Sequence, residues 1–103
     1  MNFGLTERDL DYIINAIKNF NEIEKAAIFG SRAKGNYKPG SDIDIAIWGD
    51  NFNFDTLSAL HSKLEDQSPL PYFFDIVDYT HLSSKDLKDH IDRVGKFIFI
   101  RKL

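Results

Sequence analysis

Two aspartates one residue apart, Asp42-Ile43-Asp44, follow a turn-rich stretch that opens with Gly30-Ser31. On a strand, residues i and i+2 share a face, so these carboxylates stand side by side. They are hard oxygen donors of the kind that hold Mg2+. Without a cation such neighbours repel, and a divalent ion removes the conflict. Gly30-Ser31 ends a short apolar run. Glycine there lets backbone approach a ligand closely, and the amide N–H groups of a helix start suit phosphate oxygens. Arg32 and Lys34 add positive charge beside that corner.

A third carboxylate, Asp75, lies in Tyr72–Asp78 among Phe73, Phe74, Ile76 and Val77. A carboxylate in an apolar strand needs a reason. If this strand lies beside that of Asp42 and Asp44, Asp75 becomes a third metal ligand and a general base for an attacking hydroxyl. Asp78, three residues on, is sent to the other face. The set suits displacement at phosphorus assisted by two metal ions, one on Asp42 and Asp44 and one shared with Asp75. The Gly-Ser corner would then hold the departing pyrophosphate.

Elements able to position these residues are readable. Residues 6–20 predict a helix, with Thr6 as cap and Leu10, Ile13, Ile14 and Ile17 at helical spacing. Residues 25–29 predict a buried strand, residues 31–34 one helical turn, and residues 35–41 turns. Residues 42–48 alternate: Ile43, Ile45 and Ile47 on one face, Asp42, Asp44, Ala46 and Trp48 on the other. A helix over 54–67, a strand over 72–78 and a helix over 83–94 starting at Ser83 complete the order. Residues 97–101 fit a strand or a continued helix. Alternation of helix and strand points to a sheet covered by helices.

The chain of 103 residues is read as a single domain, 1–103, with one core, given 43% hydrophobic residues, nine Phe and four Tyr. With no cysteine there is no disulfide framework or thiolate metal site, and a cytoplasmic location is the default expectation. No apolar run approaches the roughly 20 residues of a membrane span, and the N-terminal residues do not read as a signal peptide. A net charge of −3 argues against direct nucleic-acid binding. His61, His81 and His90 lack ligand spacing. Trp48 and the phenylalanines read as core rather than as a stacking platform, with an exposed subset left for a partner surface.

Gly30-Ser31, ten intervening residues and Asp42-Ile43-Asp44 resemble the signature of the DNA polymerase β-like nucleotidyltransferase superfamily. The Gly-Ser-Arg-Ala opening, Asp75 and the small size make the chain similar to the minimal nucleotidyltransferases (MNT proteins), antitoxins paired with HEPN toxins. The resemblance implies an α+β fold, a mixed sheet with helices packed on it. It implies two Mg2+ ions on Asp42, Asp44 and Asp75, with ATP as the substrate. It also implies nucleotide contacts at Gly30, Ser31, Arg32 and Ser41. The activity implied is AMP transfer to a tyrosine of a HEPN-domain partner in a heteromeric complex, as in a type VII-like toxin–antitoxin pair. Two alternatives stand beside it: an antitoxin that acts by binding alone, and a nucleotidyltransferase for a small molecule such as an aminoglycoside. The second domain that larger relatives use for base and acceptor is missing, so a partner is expected to complete the site.

Overall fold

The computed structural model describes residues 2–102. Four helices and four strands alternate: α1 (Glu7–Lys18), β1 (Lys25–Phe29), α2 (Gly30–Lys34), β2 (Ile43–Trp48), α3 (Phe54–Glu65), β3 (Phe74–Asp78), α4 (Lys85–Val94) and β4 (Lys96–Ile100). The strands form one mixed sheet in the order β3-β2-β1-β4. β1 runs antiparallel to β2 and to β4, whereas β2 and β3 are parallel. A parallel pair needs a long crossover, and α3 supplies it.

Each long helix begins where a side chain accepts an otherwise unpaired backbone N–H. Thr6 Oγ1 accepts from Asp9 N–H at 3.0 Å and Asn53 Oδ1 from Thr56 N–H at 3.0 Å. For α4 the cap is Ser84, whose Oγ accepts from Leu87 N–H at 3.3 Å, one residue later than the expected Ser83. Adjacent serines offer the same chemistry, and only the direction of the incoming chain selects between them. The segment left open between helix and strand is a strand, because β4 finds a ladder on β1. Five residues are too few for periodicity alone to decide that.

The sheet separates two apolar layers. On one face Ile43, Ile45 and Ile47 of β2 join Ile28, Ile76 and the buried stripes of α1 (Ile13, Ile17) and α3 (Leu60, Leu64). On the other, Phe29 and Ala46 pack against Ile91 of α4, with Trp48, Val77 and Leu87 around them. This second face carries the carboxylates. The second layer is small, so one end of that face stays open. Among the described residues no helix is long and apolar enough to cross a membrane.

Candidate active site

The site is assembled at one end of the second face. Antiparallel pairing sets Phe29 opposite Asp44, so the chain leaves β1 through Gly30 beside that carboxylate. Parallel pairing sets Asp44 opposite Asp75. Neighbouring strands are about 4.8 Å apart, so these two carboxylates face the same small volume. Asp42 lies just before the β2 ladder and, like Asp75, is exposed, whereas Asp44 is half-buried. Among the described residues no three acidic, histidine or cysteine side chains converge closely enough to hold a metal ion as placed. The backbone brings the three aspartates to one end of one face without closing their carboxylates into a ligand shell.

The electrostatics show the cost of that arrangement. The Asp44 carboxyl is raised from 3.8 to about 6, first by burial, then by the charge of Asp75 and of Asp42, with Arg32 pulling the other way. A site that resists carrying its own charge suits a divalent cation. The donors are all carboxylate oxygens, the ligand type Mg2+ prefers.

Gly30 has a more specific reason to be glycine than close approach to a ligand. Its φ is +70°, and a Cβ there would fall on the Asp44 carboxylate. Gly30→Ala therefore meets both a left-handed backbone and a displaced carboxylate. We expect a loss of roughly 1–3 kcal/mol in urea unfolding, with Asp44 pushed out of line with Asp75. Unchanged stability would mean that Asp44 swings aside freely.

Ser31 is half-buried at the start of α2, and its hydroxyl makes no hydrogen bond within the described residues. It remains free to meet a phosphate. Lys34 is exposed.

Arg32 corrects the expectation of a phosphate contact, since it is only 2% exposed. Its Nε and Nη2 donate to the Ser41 carbonyl at 3.1 and 2.8 Å, and its Nη1 donates to the Phe3 carbonyl at 2.9 Å. The guanidinium also lies 5.3 Å from the Tyr37 ring centre and 5.1 Å from that of Tyr72. Ser41, expected to bind nucleotide, has a second role here. Its hydroxyl oxygen accepts from Lys38 N–H at 2.9 Å, closing the turn that delivers Asp42. Arg32 and Ser41 thus tie α2, which carries the Gly-Ser corner, to the residue preceding Asp42. Charge and position in the sequence did not reveal that the guanidinium turns inward, because its partners are backbone carbonyls, one of them 29 residues away.

The histidines serve elsewhere. His61 Nε2 lies 2.8 Å from Glu65, His81 Nδ1 lies 2.8 Å from Asp78, and His90 meets the Phe29 ring edge-on. Asp78 pairs with Ile47 and so stands apart from Asp75. An open hollow of about 450 Å³, bounded by Asp50, Phe54, Asp78 and His81 among others, lies at the opposite end of the sheet from the three aspartates. Sequence reasoning gave Phe73 no role of its own, reading the phenylalanines as core with an exposed subset for a partner. That residue is 71% exposed and stands two residues before Asp75, a spacing that already implied a shared face.

A Gly-Ser corner beside strand-borne carboxylates on a mixed sheet is the arrangement expected of a nucleotidyltransferase core. Residues 11–102 match the model of the family described as "Polymerase beta, Nucleotidyltransferase", and the chain belongs to that family. Among curated proteins, "Putative protein adenylyltransferase MJ0604" of Methanocaldococcus jannaschii is 42% identical over 60 residues. That match spans 56% of this chain and 59% of the relative's length. Solved structures share the fold. A toxin–antitoxin crystal structure with AMP-PNP superposes with a TM-score of 0.76 at 24% identity, covering 90% of this chain and 74% of that one. A chain of the Shewanella oneidensis complex of tri-AMPylated HEPN toxin with MNT antitoxin gives 0.72 at 22% identity, covering 94% and 74%.

Proposed function

We propose that this chain transfers AMP from ATP to a hydroxyl of a HEPN-domain partner, dependent on Mg2+, and so acts as the antitoxin of a toxin–antitoxin pair. The observation that carries the reading is the facing of Asp44 and Asp75 next to the Gly30 corner. The solved toxin–antitoxin complexes of the same fold support the choice of partner, and the curated adenylyltransferase relative supports AMP as the group moved.

Asp42, Asp44 and Asp75 are the residues that would hold the metal. Bound there, Mg2+ neutralises phosphate charge and makes the acceptor hydroxyl easier to deprotonate. The chain's own residues do the remainder. Gly30 and Ser31 meet the phosphates at the β1 side, holding pyrophosphate in line for departure. The acceptor oxygen forms a bond to the α-phosphorus. The bond from that phosphorus to the oxygen leading to the β-phosphate breaks, and pyrophosphate leaves with its electron pair. The acceptor's proton passes to the Asp75 carboxylate, which is exposed and so within reach of an incoming hydroxyl.

The test is incubation of the chain with a HEPN-domain protein encoded beside it, ATP and Mg2+, followed by intact mass measurement. The expected result is a mass gain of one or more AMP units on the partner, abolished by EDTA. An unmodified partner in a complex that does assemble would defeat the proposal.

A further inference from the structure

Phe73 is 71% exposed although it belongs to an otherwise apolar strand sequence. Its carbonyl accepts from Ile43 N–H at 3.0 Å, so the chain already runs in step with β2 one residue before β3 begins. Since Ile43 pairs with Phe74, extension of the register sets Phe73 opposite Asp42. Alternation then puts Phe73 on the face of Asp75 and Asp44. Single exposed apolar residues are common and mean little by themselves. Position gives this one its meaning, for it flanks two of the three carboxylates.

The site also has a direction. The Gly30-Ser31 corner stands at the end of β1, Asp44 in the middle on β2, and Asp75 on β3, the edge strand. Phosphates enter from the β1 side and the attacking hydroxyl is met on the β3 side. Phe73 lies on that outer strand, beyond the carboxylates from the phosphate corner. We propose that Phe73 is the acceptor-side contact of this site, packing against the aromatic ring of a tyrosine acceptor while Asp75 receives its hydroxyl proton. An exposed ring favours a planar, uncharged partner over an aliphatic hydroxyl, and the surrounding carboxylates disfavour a second anion. The inference rests on the nucleotidyl-transfer reading above and assigns the residue that meets the acceptor at that same site.

Product mimics test it without a protein partner. Titration calorimetry in Mg2+ would compare AMP, the 5′-adenylyl ester of N-acetyltyrosinamide and the matching ester of N-acetylserinamide, using wild type, Phe73→Ala and Phe73→Trp. In wild type the tyrosine ester should bind about five- to tenfold more tightly than the serine ester, within the roughly two- to twelvefold that aromatic pairs provide. Phe73→Ala should erase that difference while leaving AMP affinity within about twofold, and Phe73→Trp should keep it. Equal binding of the two esters to wild type overturns the proposal. So does a loss of AMP affinity in Phe73→Ala, which would assign the ring to the nucleobase. If wild type binds neither AMP nor ATP, alone or alongside its HEPN-domain partner, the nucleotidyl-transfer reading itself fails and takes this one with it.

Discussion

Asp44→Asn should yield a chain that melts at a higher temperature than wild type at pH 7.5 in EDTA, yet transfers AMP about 10³-fold more slowly. The stability half follows from the carboxyl being raised from 3.8 to about 6 by burial and by Asp75 and Asp42. Between pH 4 and 6 the folded chain holds more protons at this site than the unfolded chain. Stability therefore falls as pH rises through that window and stays lower above it. Asparagine carries no charge and escapes the penalty. After discounting for partial solvent screening, the difference is about 1 kcal/mol, or roughly 4–8 °C in Tm. The gap between mutant and wild type should close near pH 4. It should also narrow in millimolar Mg2+, which relieves the repulsion in wild type alone. The activity half follows because a carboxamide cannot neutralise a cation, and several kcal/mol of charge stabilisation at tenfold per 1.36 kcal/mol gives the stated loss. Differential scanning fluorimetry across pH and single-turnover transfer assays check the two halves separately. Equal melting of mutant and wild type at both pH values would show that the carboxylates do not oppose one another. A partner still silenced by Asp44→Asn would show that inhibition needs only binding.

Arg32→Met carries the largest expected stability cost. Methionine replaces the stem but none of the donors, stranding the Ser41 and Phe3 carbonyls that accept from Arg32 at 2.8–3.1 Å. Buried unsatisfied groups cost about 1–3 kcal/mol each. With the lost contacts to Tyr37 and Tyr72 we expect about 3–5 kcal/mol, or a fall of roughly 15–25 °C in Tm. Arg32→Lys keeps a charge but not the fork that grips one carbonyl twice, so it should recover less than half. Thermal melts measure both. A melting point for Arg32→Met within about 3 °C of wild type would mean that the loop before Asp42 is held by other contacts.

These two residues mark what was legible in the sequence. The alternation in Asp42–Trp48 is enough to put Asp42 and Asp44 on one face, because pleat parity within a strand is a local property. The register that sets Asp75 opposite Asp44 is not local. It depends on β2 and β3 being parallel and adjacent. The inward turn of Arg32 is not legible for the same reason, since its carbonyl partners belong to a turn and an N-terminal segment that no spacing rule connects to it. The strand expected from residue 72 starts at Phe74, because Tyr72 is engaged with Arg32 and Asp9 outside the ladder. The type of residue at Gly30 signals a close approach, and the structure adds the Asp44 carboxylate of the same protein as one neighbour that no local pattern names.

Phe3 and Arg101, near the two limits of the described residues, lie at opposite poles. Phe3 is bonded to Arg32, within the scaffold of the reactive pole. Arg101 donates to the carbonyls of Ile23 and Phe20, and Ile100 pairs with Lys25 at the start of β1. At about 3.3 Å per residue, the length of β1 sets that end roughly 16 Å from Gly30. A surface tether placed on the Arg101 side would therefore leave the carboxylate-bearing pole accessible. The same tether placed on the Phe3 side would crowd the guanidinium clamp and the approach of any protein docking there.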